Sequence, residues 1–268
     1  MSTPQLERLH EHCHRLRLCQ VEQALTARLE QAAKRELSYA DFLDELLALE
    51  VGATTEKHHQ MRITMARFPF QKTLESFDFN FQPSIDVKLM RELASGRYMA
   101  SGDNVLLLGP PGVGKTHLAV ALGIKACEQG VRTLFTSATA LITTLGRALL
   151  EGRLEERLKL LTQPQLLIID EIGYLPIDRQ GANLFFQLVS HRYERGSIII
   201  ITSNQSPGAW DEVFGDAVIA SAILDRLLHH SITIFITGES FRRQEKLRAG
   251  LLKPKLDSPL PLLSSGPG

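Results

Sequence analysis

The sequence predicts a three-layer α/β sandwich with a mainly parallel five-stranded sheet, preceded by a small all-helical N-terminal domain. Two observations lead to this fold class. Short aliphatic runs alternate with helical stretches after Pro69, which is typical of βαβ units. Within the first fifty residues, by contrast, apolar residues recur at helical spacing between charged ones. The 268 residues are enough for one large and one small domain.

The helical N-terminal domain is predicted to span residues 1–66. Apolar residues between Leu6 and Ala33 predict either one long amphipathic helix or two short ones. A further helix is predicted over Tyr39–Val51, with Gly52 as its end. The stretch Lys57–Lys72 contains four Lys or Arg residues and no acid, and we interpret it as a solvated connector.

The sheet domain is predicted to span residues 67–250. Near-continuous aliphatic runs are typical of strands covered on both faces, which favours a parallel sheet. The predicted strands are Val105–Leu108, Thr133–Thr136, Leu166–Ile169, Ile198–Thr202 and Ser231–Thr237. The predicted helices between them are Thr116–Glu128, Ala138–Leu161, Ala182–Arg195 and Ala217–His229. The Pro/Ser/Gly-rich residues 251–268 are predicted to be a disordered tail.

Composition limits the classes of function and location. Lys plus Arg and Asp plus Glu both number 30, so a strongly basic chain, the simplest argument for nucleic-acid binding, is excluded. Three scattered cysteines do not form a disulfide framework, and we expect the reducing cytoplasm. The longest purely aliphatic stretch is Ile198–Ile201, which is far too short for a membrane span.

The strongest local signal is a phosphate-binding loop between a predicted strand and a predicted helix. It fits the pattern G-x-x-x-x-G-K-[ST] and consists of Gly109, Pro110, Pro111, Gly112, Val113, Gly114, Lys115 and Thr116. Its glycines allow backbone N–H groups to face an anion at the positive end of the helix. We expect Lys115 to hold the β- and γ-phosphates and Thr116 to ligate Mg²⁺. His117 follows the loop directly and is included among the candidate nucleotide-binding residues.

Two carboxylates follow the buried strand Leu166–Ile169. Asp170 is positioned to hold Mg²⁺ through water, and Glu171 to orient or deprotonate an attacking water. The alternative is an acidic N-cap of a helix. Because an Asp and a Glu are both present, we favour hydrolysis over transfer of phosphate to a small metabolite.

Three further polar residues are candidates for the same site. Asn204 follows a strand at the edge of the sheet where ligands bind, although such residues are also common in turns without a function. Arg226 lies on the apolar stripe of its predicted helix, so we expect it to need an anionic partner, such as the γ-phosphate of a neighbouring subunit. The alternative is an internal salt bridge or a break in the helix. Arg242 either reaches the nucleotide of its own subunit or is a solvated charge.

Taken together, these motifs resemble the AAA+ ATPases of the P-loop NTPase class, and more closely the IstB-like transposition helper proteins, which are relatives of the DnaC-type helicase loaders. The resemblance rests on GPPGVGKTHLA, LLIIDEIGYLP, IIITSN, ILDRLLHHS and GESFRR, and it covers roughly residues 67 to 250. The helical N-terminal module followed by RFPFQKTLESFDF is also similar to that family.

The resemblance implies a set of roles and partners. It implies ATP and Mg²⁺ as cofactors and a nucleotide-dependent homo-oligomer, either a ring or a helical assembly, that wraps duplex DNA and delivers a transposase to its target. Gly109 to Thr116 correspond to Walker A, and Asp170 and Glu171 to Walker B. The remaining correspondences are Asn204 as sensor 1, Arg226 as the arginine finger and Arg242 as sensor 2.

Two basic stretches are candidates for the DNA contacts that the resemblance implies, although a solvated face explains each nearly as well. The first contains Lys57, Arg62, Arg67 and Lys72, and the second Arg147, Arg153, Arg157 and Lys159. Two other functions remain open. One is a loader of replicative helicase related to DnaC or DnaI, and the other is a nucleotide-gated DNA-binding scaffold with negligible turnover.

Overall fold

The computed structural model describes residues 3–251 of the chain. They divide into two compact units, with the boundary between Ala66 and Arg67. Among these residues, no helix has both the length and the apolar character that crossing a bilayer requires. Nearly all of the tail predicted over residues 251–268 lies outside the described residues.

The first unit consists of three helices: α1 (Thr3–Leu16), α2 (Cys19–Arg35) and α3 (Tyr39–Ala66). Of the two predicted alternatives, the chain thus adopts two short helices before α3. The break follows α1, where Arg17 has a left-handed backbone with a φ of 59°. The core of this unit contains Cys13, Val21, Leu25 and Leu46.

The end of α3 differs from the sequence prediction. The predicted helix ends at Gly52, whereas α3 continues through this glycine to Ala66 and comprises 28 residues. One glycine inside a helix costs about 1 kcal/mol relative to alanine, and the helix-forming residues on both sides outweigh that cost. Residues 57–66 are therefore helical, and the predicted connector shrinks to the residues that follow Ala66.

The second unit is built on a five-stranded sheet. Its strands are β1 (Asn104–Leu108), β2 (Thr133–Ser137), β3 (Leu166–Ile172), β4 (Ile198–Ser203) and β5 (Ser231–Phe235). The order is β2-β3-β4-β1-β5, and every neighbouring pair is parallel. The predicted fold class is confirmed. Since all five strands run in one direction, their carboxyl ends meet at one edge of the sheet.

Helices cover both faces of this sheet. They are α4 (Val87–Ala94), α5 (Arg97–Ser101), α6 (Lys115–Glu128), α7 (Ala138–Leu150), α8 (Leu154–Thr162), α9 (Arg179–Glu194), α10 (Trp210–Phe214), α11 (Ala217–Leu228) and α12 (Phe241–Arg248). Successive side chains of β1 alternate between two cores: Leu106 and Leu108 belong to one, Val105 and Leu107 to the other. This explains why the strand sequences are aliphatic throughout.

Several predicted boundaries in this unit are wrong. The single helix predicted over Ala138–Leu161 is two helices, α7 and α8, because the chain turns at Gly152, where φ is +67°. Strand β5 ends at Phe235, two residues before the predicted end. Helices α4, α5 and α10 are short elements that the apolar pattern does not reveal, since tertiary packing rather than length stabilises them.

A buried arginine joins three elements of this unit. Arg192, in α9, is fully buried, and burial lowers its pKa to about 9. Its guanidinium donates four hydrogen bonds to backbone carbonyls, with distances between 2.7 and 3.2 Å. These carbonyls belong to Leu161, Pro164, Gln165 and Ile198. The side chain thus connects the end of α8 and the start of β4 to α9.

Candidate functional site

The phosphate-binding loop joins β1 to α6 at the carboxyl edge of the sheet. Gly112 and Gly114 have positive φ angles of 85° and 101°, a conformation that glycine adopts without strain. A Cβ atom on Gly112 would collide with the side chain of Ser240, and one on Gly114 with the ring of Phe77. Only glycine fits these two positions, so the loop keeps its tight turn at the N-terminus of α6, a location that is suited to an anion.

Lys115 is the first residue of α6 and is buried. Its Nζ donates to the carbonyl oxygens of Gly109 and Pro110, at 2.6 and 2.8 Å. Burial lowers the pKa of Lys115; the charges of Asp170 and Glu171 oppose this shift, and that of Arg242 adds to it. The ammonium group thus lies in the electrostatic field of all three residues.

A hydrogen-bonded chain connects α6, β3 and β4 beside Lys115. The Thr116 hydroxyl donates to Asp170 Oδ1 at 3.0 Å, and the Thr202 hydroxyl donates to the same oxygen at 2.5 Å. The Thr202 oxygen accepts in turn from the backbone N–H of Glu171, at 2.9 Å. The resulting cluster of hard oxygen donors is of the kind that Mg²⁺ prefers.

Glu171 has an unusual backbone conformation. Its φ is +65°, and the pairing of β3 with β4 shifts register between Ile169 and Ile172. Such a bulge redirects side chains at the end of a strand, and non-glycine residues with left-handed backbones are found at functional sites. The exposed Glu171 side chain lines the same cavity as Lys115, Thr116 and Thr202.

This cavity has a volume of about 410 Å³, and aromatic side chains form much of its lining beside the phosphate-binding loop. Its aromatic lining residues are Phe70, Phe77, Phe81, Tyr174 and Phe241. His117 anchors this wall to α6: its Nε2 lies 2.9 Å from the carbonyl oxygen of Thr73, and its ring packs edge-on against Phe77. Burial lowers the pKa of His117. An aromatic wall beside a phosphate site suits a purine base.

Helix α12 closes another side of the cavity. The N–H of Phe241 donates to the carbonyl of Gly112 at 3.0 Å, and the side chain of Gln82 donates to the carbonyl of Glu239 at 2.9 Å. Arg242, in the first turn of α12, lines the cavity. It therefore lies beside Lys115 within one chain.

Asn204 and Arg226 lie outside this cavity, as its lining residues show. In the amide orientation that satisfies its hydrogen bonds, Asn204 donates to the carbonyls of Ile172 and Gly173, each at 3.2 Å. Arg226 lines a second cavity of about 420 Å³, together with Asn104 and His230. The structure thus groups the other candidate catalytic residues but not these two. Thr202, on β4, lines the cavity but was not predicted from the sequence, whereas Asn204, predicted to follow the strand into the site, does not line it.

The candidate DNA-binding residues belong to both compact units. Lys57 and Arg62 lie in α3, and Arg67 follows it. Lys72 lines the aromatic cavity, and its Nζ lies 5.5 Å from the ring centroid of Phe70. Four others lie on the α7–α8 segment, where Arg153 forms an ion pair with Glu151; these four are Arg147, Arg153, Arg157 and Lys159.

A family model and individual relatives both match this chain, and they indicate the same family. The family model described as IstB-like ATP binding protein matches residues 11–249. An ATP-binding protein of insertion sequence IS21 in Pseudomonas aeruginosa is 54% identical over 224 residues, which cover 84% of each chain. A second relative, the ATP-binding protein of insertion sequence IS5376 in Geobacillus stearothermophilus, is 45% identical over 240 residues, or 90% of this chain and 95% of the relative.

Solved structures support the fold. AMPPCP-bound DnaA from Aquifex aeolicus superimposes with a TM-score of 0.53 at 22% identity, over 70% of this chain and 59% of DnaA. The match thus covers less than two thirds of DnaA. DnaI has a TM-score of 0.50 at 22% identity, over 63% of this chain and 90% of DnaI. At these identities the similarity establishes a shared AAA+ fold.

Proposed function

The chain belongs to the family of IstB-like ATP-binding proteins, and from this premise we propose that it is an ATPase that assembles on duplex target DNA and assists a transposase in insertion-sequence transposition. One observation carries the enzymatic part: Lys115, Thr116 and Glu171 line one cavity, and Asp170 is hydrogen-bonded to Thr116 at its edge. The names of the relatives, all ATP-binding proteins of insertion sequences, support the transposition context.

The residues of the site fit a nucleoside triphosphate and a magnesium ion. Lys115 would exchange its two carbonyl partners for phosphate oxygens, which are stronger acceptors for an ammonium group. Thr116 and Asp170 would hold Mg²⁺, which neutralises charge on the phosphates when it is bound. Glu171 would accept the proton of the attacking water. Arg242, which lines the same cavity as Lys115, would contact the phosphates within the same subunit.

Arg226 is proposed to act on a neighbouring subunit. It lines a cavity separate from that of Lys115, which favours contact with the phosphates of another chain over those of its own. An arginine supplied by another subunit would neutralise transition-state charge, which is worth about 10³- to 10⁵-fold in rate in other NTPases. Hydrolysis would then require an oligomer. Asn204 is proposed to orient the attacking water only after its amide leaves the carbonyls of Ile172 and Gly173.

DNA binding is proposed for the α7–α8 segment. Three of its basic residues, Arg147, Arg157 and Lys159, form no ion pair with another described residue. Lys72 is less suited to binding DNA because it lines the cavity that contains Lys115, which is called the nucleotide cavity below. Neutralising four phosphates would make the slope of log affinity against log salt about −3.6.

The test compares Glu171→Gln with the unchanged protein. We expect Glu171→Gln to bind ATP and Mg²⁺ normally, to lose turnover by at least about 100-fold, and to remain on duplex DNA as an oligomer that size-exclusion chromatography and electron microscopy detect. Glu92→Gln, which alters an exposed carboxylate in α4, is the matched control and should behave like the parent. Unchanged turnover of Glu171→Gln would show that another group is the base. Loss of turnover in Glu171→Gln without retention on duplex DNA would contradict assembly on DNA.

A further inference from the structure

The most unusual cation outside the nucleotide cavity is Arg226, in the last turn of α11. Its guanidinium carbon lies over the ring of Phe186, 4.7 Å from the centroid. Its Nη1 donates to the carbonyl of Ala222 at 3.1 Å. Among residues 3–251, no carboxylate forms an ion pair with Arg226, although Glu194 lines the same cavity.

These contacts orient the guanidinium without neutralising it. Arginine has five N–H donors. Among the described residues, Arg226 donates to the carbonyl of Ala222, which leaves donors for a further acceptor. A half-buried guanidinium gains most from an anion, because charge-assisted bonds are about twice as strong as neutral ones. The ring of Phe186 contributes attraction and a fixed plane but no negative charge. The arrangement is therefore that of a cation held ready for an anion on another molecule.

We propose that Phe186 is a positioning residue that holds Arg226 for the nucleotide phosphate of a second copy of this chain. The proposal rests on the proposed function, in which Arg226 acts between subunits. Phe186 projects from α9 and packs at the margin of the core that includes Phe185, so its ring is fixed by the fold. A flexible arginine stacked on a fixed ring has fewer conformations to lose when it binds phosphate.

The first test replaces the ring. We expect Phe186→Leu to reduce turnover about fivefold at saturating ATP, which corresponds to about 1 kcal/mol of activation free energy; this is the size of one partly exposed cation–π contact. The affinity for ATP should stay within twofold of the parent, because Phe186 does not line the nucleotide cavity. Phe186→Tyr preserves the ring and should restore turnover to within twofold. Thermal denaturation shows whether both variants are folded.

The second test asks whether the loss passes through Arg226. In an Arg226→Ala background, Phe186→Leu should cause no further decrease in turnover. Glu171→Gln subunits carry an intact Arg226, so mixing them with Phe186→Leu subunits should raise turnover per Phe186→Leu subunit about twofold or more. If Phe186→Leu instead damaged its own subunit, it would lower turnover further in the Arg226→Ala background. Mixing with Glu171→Gln subunits would then not raise the turnover.

The outcomes separate this inference from the proposed function. If Arg226→Ala hydrolyses ATP at the parent rate, the arginine finger itself is wrong, and with it the role of Phe186. If Arg226→Ala is inactive but Phe186→Leu is fully active, only the positioning role is overturned. The positioning role is likewise overturned if the Phe186→Leu loss persists in mixtures with Glu171→Gln, or if Phe186→Tyr fails to restore turnover.

Discussion

The hydroxyl group of Thr202 lies 2.5 Å from Oδ1 of Asp170 and accepts the backbone N–H of Glu171. One side chain on β4 therefore fixes both acidic residues at the end of β3. It orients the Asp170 carboxylate toward Thr116 and holds the peptide at which Glu171 adopts its left-handed conformation. Under the proposed function, Thr202 would therefore act on hydrolysis through these two neighbours.

Removing the Thr202 hydroxyl should impair turnover more than binding. A hydrogen bond to a charged group is worth about 1.5–3 kcal/mol, so we expect Thr202→Val to lower kcat about 10- to 100-fold. The Kd for ATP should change less than threefold, because the phosphate-binding loop is untouched. Steady-state kinetics and nucleotide titration measure the two quantities. Thr202→Ser keeps the hydroxyl and serves as the control; equal kcat values for Thr202→Val and the parent would exclude this role.

Lys115 is predicted to dominate the affinity for the triphosphate. We expect Lys115→Ala to weaken ATP binding by about 10- to 100-fold, because one or two charge-assisted hydrogen bonds are lost. The variant should also fail to assemble in response to nucleotide. Titration with a fluorescent ATP analogue in saturating Mg²⁺ tests this. Lys125→Ala is the matched control, since Lys125 lies on the same helix but forms ion pairs with Glu75 and Glu128. Equal affinities in the two variants would refute the assignment.

The local motif explains why much of the site is predictable from the sequence. The loop Gly109–Thr116 carries its own backbone geometry in its glycines, and an aliphatic strand followed by Asp170 and Glu171 places two carboxylates at the same sheet edge. These features depend on neighbours in sequence. For the same reason, the aliphatic runs predict the parallel sheet. The helix ends near Gly52 and Gly152 cannot be predicted in this way, because one glycine is tolerated inside α3 and the other separates α7 from α8.

The missed features depend on tertiary placement. Thr202 contacts Asp170 because of the register between β3 and β4 and the bulge at its end, which no single segment encodes. Asn204 comes after the end of β4, where the chain turns and its amide meets the carbonyls of Ile172 and Gly173. The aromatic wall is present in the sequence as the closely spaced Phe70, Phe77 and Phe81. Phe70 lies in the stretch interpreted as a connector, and no sequence motif assigns Phe77 or Phe81 to the site.

His117 is predicted to make the stability of the sheet unit depend on pH. Because burial lowers its pKa in the folded state, the unfolded chain binds the proton more readily near the ordinary pKa of about 6.5. The free energy of unfolding should therefore fall as the pH decreases through 6.5 and should be fully recovered above it. Urea unfolding at pH 7.5 and 5.5 measures the change. His117→Gln should show a smaller decrease than the parent, and equal decreases would contradict the assignment.

Arg192 is predicted to be the most costly arginine to remove from the sheet unit. Arg192→Met keeps much of the apolar volume but leaves four carbonyls without their donors, and a buried group left unsatisfied costs about 1–3 kcal/mol. Since the lost guanidinium also had a desolvation cost, we expect a net destabilisation of about 2–4 kcal/mol. The single tryptophan of the chain, Trp210, is fully buried in the same unit, so its fluorescence during urea unfolding reports the change. Arg195→Met, at the exposed C-cap of the same helix, should cost less than about 0.5 kcal/mol; a similar loss in both variants would mean that the four carbonyl contacts contribute nothing specific.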